Sequence, residues 1–195
     1  MIRIAVVGPE SSGKTTLAEE LMFRYHGGYV SEVAREYLAE LDRQYVESDL
    51  QEIGRSMRSL HGGMGGLLEE ASAMSAGTEQ RAGEPRSRPV FFDTDPVNLV
   101  IWSREKYGRV HPEIEQLAQE MRYTWRLLCR PDIPWVPDPL RENPYDRDRL
   151  FVEWEKELKA RALPYTIIEG PRDQRIHIAS NIVDVLIDGR RADLL

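Results

Sequence analysis

A single cysteine, Cys129, stands among 195 residues. No internal disulfide can form, and a reducing compartment is the expectation. In its apolar setting the thiol reads as a small core residue on a strand. Basic residues are outnumbered, with 26 Lys and Arg against 33 Asp and Glu and a formal net charge of −7. That balance is a poor basis for gripping a phosphate backbone, so nucleic acid is not an expected partner. No run of about eighteen apolar residues occurs, so no membrane partner is expected. The opening MIRIAVVG lacks the charged-then-apolar order of a secretory signal, which makes the cytoplasm the expected location. The four histidines, His26, His61, His111 and His177, show no ligand spacing, so a structural zinc is not expected. Oligomeric state has no sequence signature here.

Hydrophobic residues make up 41% of the chain, a globular composition, and the length suits one domain spanning 1–195. Short β-branched or aromatic runs predict five strands: Ile2 to Val7, GGYVSE, PVFFDTD, TWRLLC and YTII. Apolar residues at spacings of three and four predict helices between them. One carries Leu17, Leu21 and Tyr25. Another opens at the Ser48/Gln51 capping-box spacing and presents Ile53, Met57, Leu60 and Met64. Alternating strands and helices imply an α/β fold, with a parallel five-stranded sheet flanked by helices. The glycine- and breaker-rich stretch 62–89 reads as a mobile loop, the proline-rich stretch 130–149 as a lid, and 189–195 as a loose tail.

Gly8-Pro9-Glu10-Ser11-Ser12-Gly13-Lys14-Thr15 matches the P-loop pattern G-x-x-x-x-G-K-[ST], between a predicted strand and a predicted helix. The chemistry requires this arrangement. Glycines let successive backbone N–H groups turn towards phosphate oxygens, and the helix start adds its positive end. Lys14 is placed for the β- and γ-phosphates, and the Thr15 hydroxyl for magnesium. Together with Gly8, Glu10, Ser11, Ser12, Gly13 and Thr16, they form the expected ATP site. Asp93, at the end of PVFF, is the expected acid for Mg2+, partly through water.

Two residues on, Asp95 either faces an acceptor from the same crevice or caps the helix beginning near Pro96. Glu32, at the tip of the second strand, is either a base for a sugar hydroxyl or a solvated loop glutamate. Arg141, Arg147 and Arg149 sit in the proline-rich stretch, either as lid cations for a transferring phosphoryl group or as a solvated mixed-charge surface. Arg175 either packs near an adenine ring or lies exposed at a helix start. Tyr37, Trp102, Tyr107, Trp125 and Trp135 are the aromatic candidates for stacking on a planar cationic ring, most of them expected in the core.

Taken in order, GPESSGKTTLAEEL, SEVAREYL, FFDTDPVNLVIWSREKYGR, RPDIPWVPDPLR and EGPRDQRIHIA resemble the ribosylnicotinamide kinase domain of NadR-type proteins, over nearly the whole chain. The resemblance implies a nucleoside-kinase-like P-loop fold and ATP-dependent phosphorylation of the 5′-hydroxyl of nicotinamide riboside. Carried over residue by residue, it implies Lys14 and Thr15 on ATP and magnesium, and Asp93 as the metal-linked acid. Glu32 would face the ribose, Arg35 the substrate or phosphate, and Trp135, Asp138 and Arg141 would form the hinge and base of the lid. It covers the kinase segment alone, so the adenylyltransferase and repressor activities of fused members are not carried over. The alternatives are a kinase for another nucleoside, nucleotide or coenzyme precursor, and a regulatory ATP-binding module.

Overall fold

The computed structural model describes residues 1–75, 88–141 and 144–194, with the backbone alone for 64–75. Five strands, β1 (Ile2–Val7), β2 (Gly28–Val30), β3 (Pro89–Asp93), β4 (Trp125–Cys129) and β5 (Tyr165–Ile168), form one sheet. Its order is β2-β3-β1-β4-β5, and every neighbouring pair is parallel. Among the described residues, seven α-helices connect or flank the strands: α1 (Lys14–Tyr25), α2 (Val33–Ala39), α3 (Glu47–Ser75), α4 (Val97–Tyr107), α5 (Pro112–Glu120), α6 (Arg147–Ala160) and α7 (Arg172–Ile187).

Side-chain alternation explains why β1 lies at the centre. Ile2, Ile4 and Val6 enter the core shared with α1 and α7, while Ala5 and Val7 enter the opposite core beside α4 and α6. A strand apolar on both faces must be covered on both. The chain crosses from β1 to the edge strand β2 on one side and reaches β4 on the other. The loop after β1 therefore sits where the strand order reverses, which is where open parallel sheets leave a crevice. A third core under α2, α3, α4 and α5 builds that crevice's far wall.

Several expectations need correction. α3 runs through Gly62 and Gly63 to Ser75, so no loop begins at Gly62; residues 76–87 lie outside the described residues. Each helical glycine costs about 1 kcal/mol against alanine, but LLEEASAM restores strong helix formers beyond them. The helix begins at Glu47, and it is Asp49, not Gln51, that reaches back to accept from the Val46 N–H, at 2.7 Å. Its apolar face passes through Leu50, Ile53 and Met57 to a fully buried His61, leaving Leu60 at 46% exposure. His61 faces inward because its Nδ1 meets the Tyr123 hydroxyl at 2.6 Å and its carbonyl accepts from Arg3 Nη1 at 2.9 Å. Arg147 and Arg149 belong to the first turn of α6 and not to the loop before it. Arg191–Leu194 is a 3₁₀ turn, not a loose tail, because Leu194 packs against the α1–α7 core.

Candidate active site

Three left-handed residues shape the loop after β1: Gly8 at φ 134°, Ser11 at φ 51° and Gly13 at φ 82°. At Gly8 glycine is obligatory, since a Cβ would come 2.6 Å from the Cys129 carbonyl oxygen. Ser12 Oγ donates to the Pro9 carbonyl at 2.8 Å and helps close the turn. α1 starts at Lys14 with no side-chain cap, so its first N–H groups remain donors for a phosphate. Lys14 Nζ donates to the Pro9 carbonyl at 2.8 Å, holding the cation over the loop. Beneath it, Cys129 is inert, its thiol pushed up to about 12 by burial.

Thr15 Oγ1 donates to Asp93 Oδ2 at 2.6 Å, joining the helix start to the tip of β3. Asp93 is buried, and among the described residues its Oδ1 has no hydrogen-bond partner. Tyr29 Oη stands 3.5 Å from Oδ2, its phenol held protonated by burial and by Asp93. A hydroxyl and a carboxylate with a spare oxygen are hard donors that fit magnesium.

Asp95 shows the capping alternative. Thr94 leaves strand geometry at φ 87°, so the two carboxylates diverge. One Asp95 oxygen accepts from the Val97 N–H at 3.0 Å, and the other from Arg126 Nε at 2.6 Å, in a fully buried ion pair. Nothing of Asp95 remains for an acceptor.

Glu32 precedes α2 and lines the same crevice as Lys14. Desolvation lifts its carboxyl above the ordinary glutamate range; Lys14 opposes the shift and Asp93 adds to it. One turn on, Arg35 Nη2 pairs with Asp138 Oδ2 at 2.7 Å and so ties α2 to the proline-rich loop. Tyr37 points away: its hydroxyl donates to Asp49 Oδ1 at 2.9 Å, in a cluster closed by Arg43. As a helical residue next to Glu36, it faces α3 and not the crevice, which removes it from the acceptor site.

The arginines separate into three roles. Arg141 lines the crevice, donates to the Val136 carbonyl and lies 5.8 Å from the Trp135 ring centroid. Arg147 reaches the outer side of the P-loop, donating to the Ser11 carbonyl at 3.0 Å and the Ile133 carbonyl at 3.1 Å, and it also lies against Trp135. With two guanidinium groups against its ring, Trp135 is absent from the crevice lining and is not an acceptor platform. Arg175 is neither exposed nor in the crevice: it is buried, donating to the carbonyls of Ser12, Arg130 and Gly170 and to Asp132. Arg149 is engaged by Glu105 and Asp146, away from the loop.

The crevice encloses about 890 Å³. It runs from the P-loop past Glu32 and Arg35 to a far wall of Leu38, Leu41, Tyr45, Trp102 and Lys106. Tyr45 and Lys106 were missed by sequence reasoning. Tyr45 accepts from Trp102 Nε1 at 2.9 Å, their rings are edge to face at 5.1 Å, and the Lys106 ammonium sits 3.7 Å from the Tyr45 ring centroid. The readable signal was confined to Trp102 and Lys106, four apart on α4, because Tyr45 lies in a loop without periodicity.

A strand, a glycine-containing loop of the P-loop pattern and a helix within this parallel sheet define a P-loop domain. A family model described as an AAA domain matches residues 3–175, and the chain belongs to that family. It is similar to the trifunctional NAD biosynthesis/regulator protein NadR of Salmonella typhimurium, 27% identical over 165 residues that cover 79% of this chain and 35% of that protein. NadR of Escherichia coli is 26% identical over 152 residues, covering 75% of this chain and 32% of that protein. The chain thus spans about a third of the length of the curated relatives it matches. Among solved structures, NadR in complex with NAD and AMP-PNP superposes with a TM-score of 0.63 at 20% identity, over 93% of this chain and 48% of that one. Deoxyadenosine kinase from M. mycoides with bound dATP gives 0.54 at 11% identity, over 94% and 100%. At those identities the superpositions carry the fold.

Proposed function

We propose that this chain is an ATP-dependent kinase acting on the 5′-hydroxyl of a nucleoside, with nicotinamide riboside the best-supported acceptor. One observation carries the reading: Lys14 of the P-loop and the desolvated Glu32 line a single crevice that continues beyond Glu32 into an aromatic-walled space. A switch module that only binds and hydrolyses ATP has no need of that second half. The names of the relatives, which join NadR to NAD biosynthesis, support the choice of acceptor.

The chemistry follows from the residues. Backbone N–H groups of the loop and the start of α1 bind the phosphates, and Lys14 exchanges the Pro9 carbonyl for phosphate oxygens. Thr15 and Asp93 would hold magnesium, which when bound supplies neutralisation of phosphate charge. Glu32 accepts the proton of the 5′-hydroxyl as its oxygen bonds to the γ-phosphorus, and the bond to the ADP oxygen breaks. A raised pKa makes Glu32 a stronger base than an ordinary glutamate, and the Lys14 ammonium opposes that rise. Arg141 is the lid cation for the transferring group. The test is ADP release with ATP and a nucleoside panel: release dependent on nicotinamide riboside is expected, and no release above the ATP-alone rate with any nucleoside would sink the reading.

A further inference from the structure

Ser11 is the one residue of the loop that holds a left-handed backbone without being glycine. Such a conformation persists only where its surroundings over-determine it. Those surroundings are specific. Arg147 Nη1 donates to the Ser11 carbonyl at 3.0 Å, and the Val136 N–H donates to Ser11 Oγ at 3.0 Å. On the next peptide, Arg175 Nη1 donates to the Ser12 carbonyl at 2.9 Å. Each arginine also holds the segment after β4, Arg147 through the Ile133 carbonyl and Arg175 through the Arg130 carbonyl. Ile133 itself packs beside Gly13, where an added Cβ would stand 3.2 Å from its Cδ1.

In a trans peptide the carbonyl and the following N–H point to opposite sides. Holding the Ser11 carbonyl outward therefore aims the Ser12 N–H inward, and holding the Ser12 carbonyl does the same for Gly13 N–H. A cation on each carbonyl also polarises its peptide and strengthens the N–H as a donor. We propose that Arg147 and Arg175 are positioning residues that act on nucleotide through the P-loop backbone: two guanidinium groups, from α6 and α7, brace consecutive peptides so that their N–H groups converge on phosphate. Neither arginine is a phosphate ligand in this arrangement.

The inference rests on the nucleotide-binding half of the proposed function and not on the acceptor. Its test is therefore calorimetric binding of ADP with magnesium and no acceptor present. R147A is expected to weaken ADP binding by about tenfold, the scale of one charge-assisted hydrogen bond. S11G serves as the reference for a double-variant cycle: glycine takes the left-handed conformation without cost, while the bond from the Val136 N–H to Ser11 Oγ is lost in both arms that carry S11G. Added to S11G, R147A should cost no more than about half of the logarithmic loss it causes in the wild type, since the conformation no longer needs its brace. R147K, which keeps the charge but lacks the fork that spans two carbonyls, covers the case in which R147A does not fold, and should lose about threefold or more. R147A and R147K binding within twofold of wild type overturn the proposal, as does a double variant whose losses simply add, the signature of direct contact with nucleotide. A wild-type protein that binds no ADP defeats instead the nucleotide reading beneath it.

Discussion

The two ends of the crevice are built by different means. At the donor end the functional groups are mostly backbone N–H donors, held from outside by Arg147, Arg175 and the Ser12 hydroxyl. At the acceptor end they are side chains from α2, the loop before α3, and α4, meeting as Arg35, Tyr45, Trp102 and Lys106. A backbone cradle is tied to a fixed spacing along the chain. A side-chain wall is tied only to the way distant elements pack. The first is the end shared by phosphate binders, and the second is where the proposed kinase would select its acceptor.

The largest expected effect breaks the donor end. Lys14→Ala should lower turnover by on the order of 10³ or more, the range of a single cation acting on a transferring phosphoryl group. Its thermal midpoint should stay within a few degrees of wild type, because Lys14 makes one hydrogen bond to the loop. Glu32→Gln acts at the junction of the two ends and should cost about 10²–10⁴ in kcat, measured by ADP release. The pH profile gives the sign. In the proposed reaction Glu32 acts as the carboxylate, and burial raises its pKa above the ordinary glutamate range. The wild-type kcat/KM should therefore fall as pH drops through a value above the ordinary glutamate range, and the variant should lose that limb.

Among the arginines, Arg141→Ala should cost more than about tenfold in kcat, since Arg141 alone of the three lid candidates lines the crevice. Arg149→Ala should stay within about twofold, its guanidinium being spent on Glu105 and Asp146. At the acceptor end, Trp102→Ala should raise the acceptor KM by about tenfold and leave the KM for ATP within about twofold, which separates the two ends in one kinetic series.

The smallest effect on activity is expected at neither end. His61, at the opposite side of the fold from the P-loop chemistry, has its pKa pushed down to about 3 by burial and by Arg3. The unfolded chain takes up a proton there and the folded chain does not. This histidine's stabilising contribution is complete above pH 6.5 and is lost by about 1.4 kcal/mol per unit as pH falls towards 3. His61→Gln should leave turnover at neutral pH unchanged and flatten the fall of the thermal midpoint below pH 6.

How far the sequence could be read follows the same division. The five strands, the sheet's parallel character, the P-loop residues and Asp93 at the tip of β3 were legible, because each depends on local pattern. Asp95 was not separable from Asp93 by spacing; the positive φ at Thr94 turns it into the core, where Arg126 from β4 claims it. Arg147 and Arg175 carry the residue type of a phosphate ligand but reach the loop from behind, an approach set by where α6 and α7 begin. Tyr37 was drawn to α3 by Asp49, twelve residues on, and Tyr45 entered the crevice from a loop with no repeat to mark it. The glycines after His61 looked like a break, yet the helix formers beyond them continue α3.

In the proposed reaction one crevice holds donor and acceptor together. The most direct measurement of this follows the label of γ-labelled ATP in the presence of nicotinamide riboside and, in parallel, its 5′-deoxy analogue. Label is expected on the riboside in step with ADP formation, and none on the analogue. Label released as inorganic phosphate at one rate with either compound, or with none, would contradict the proposed reaction.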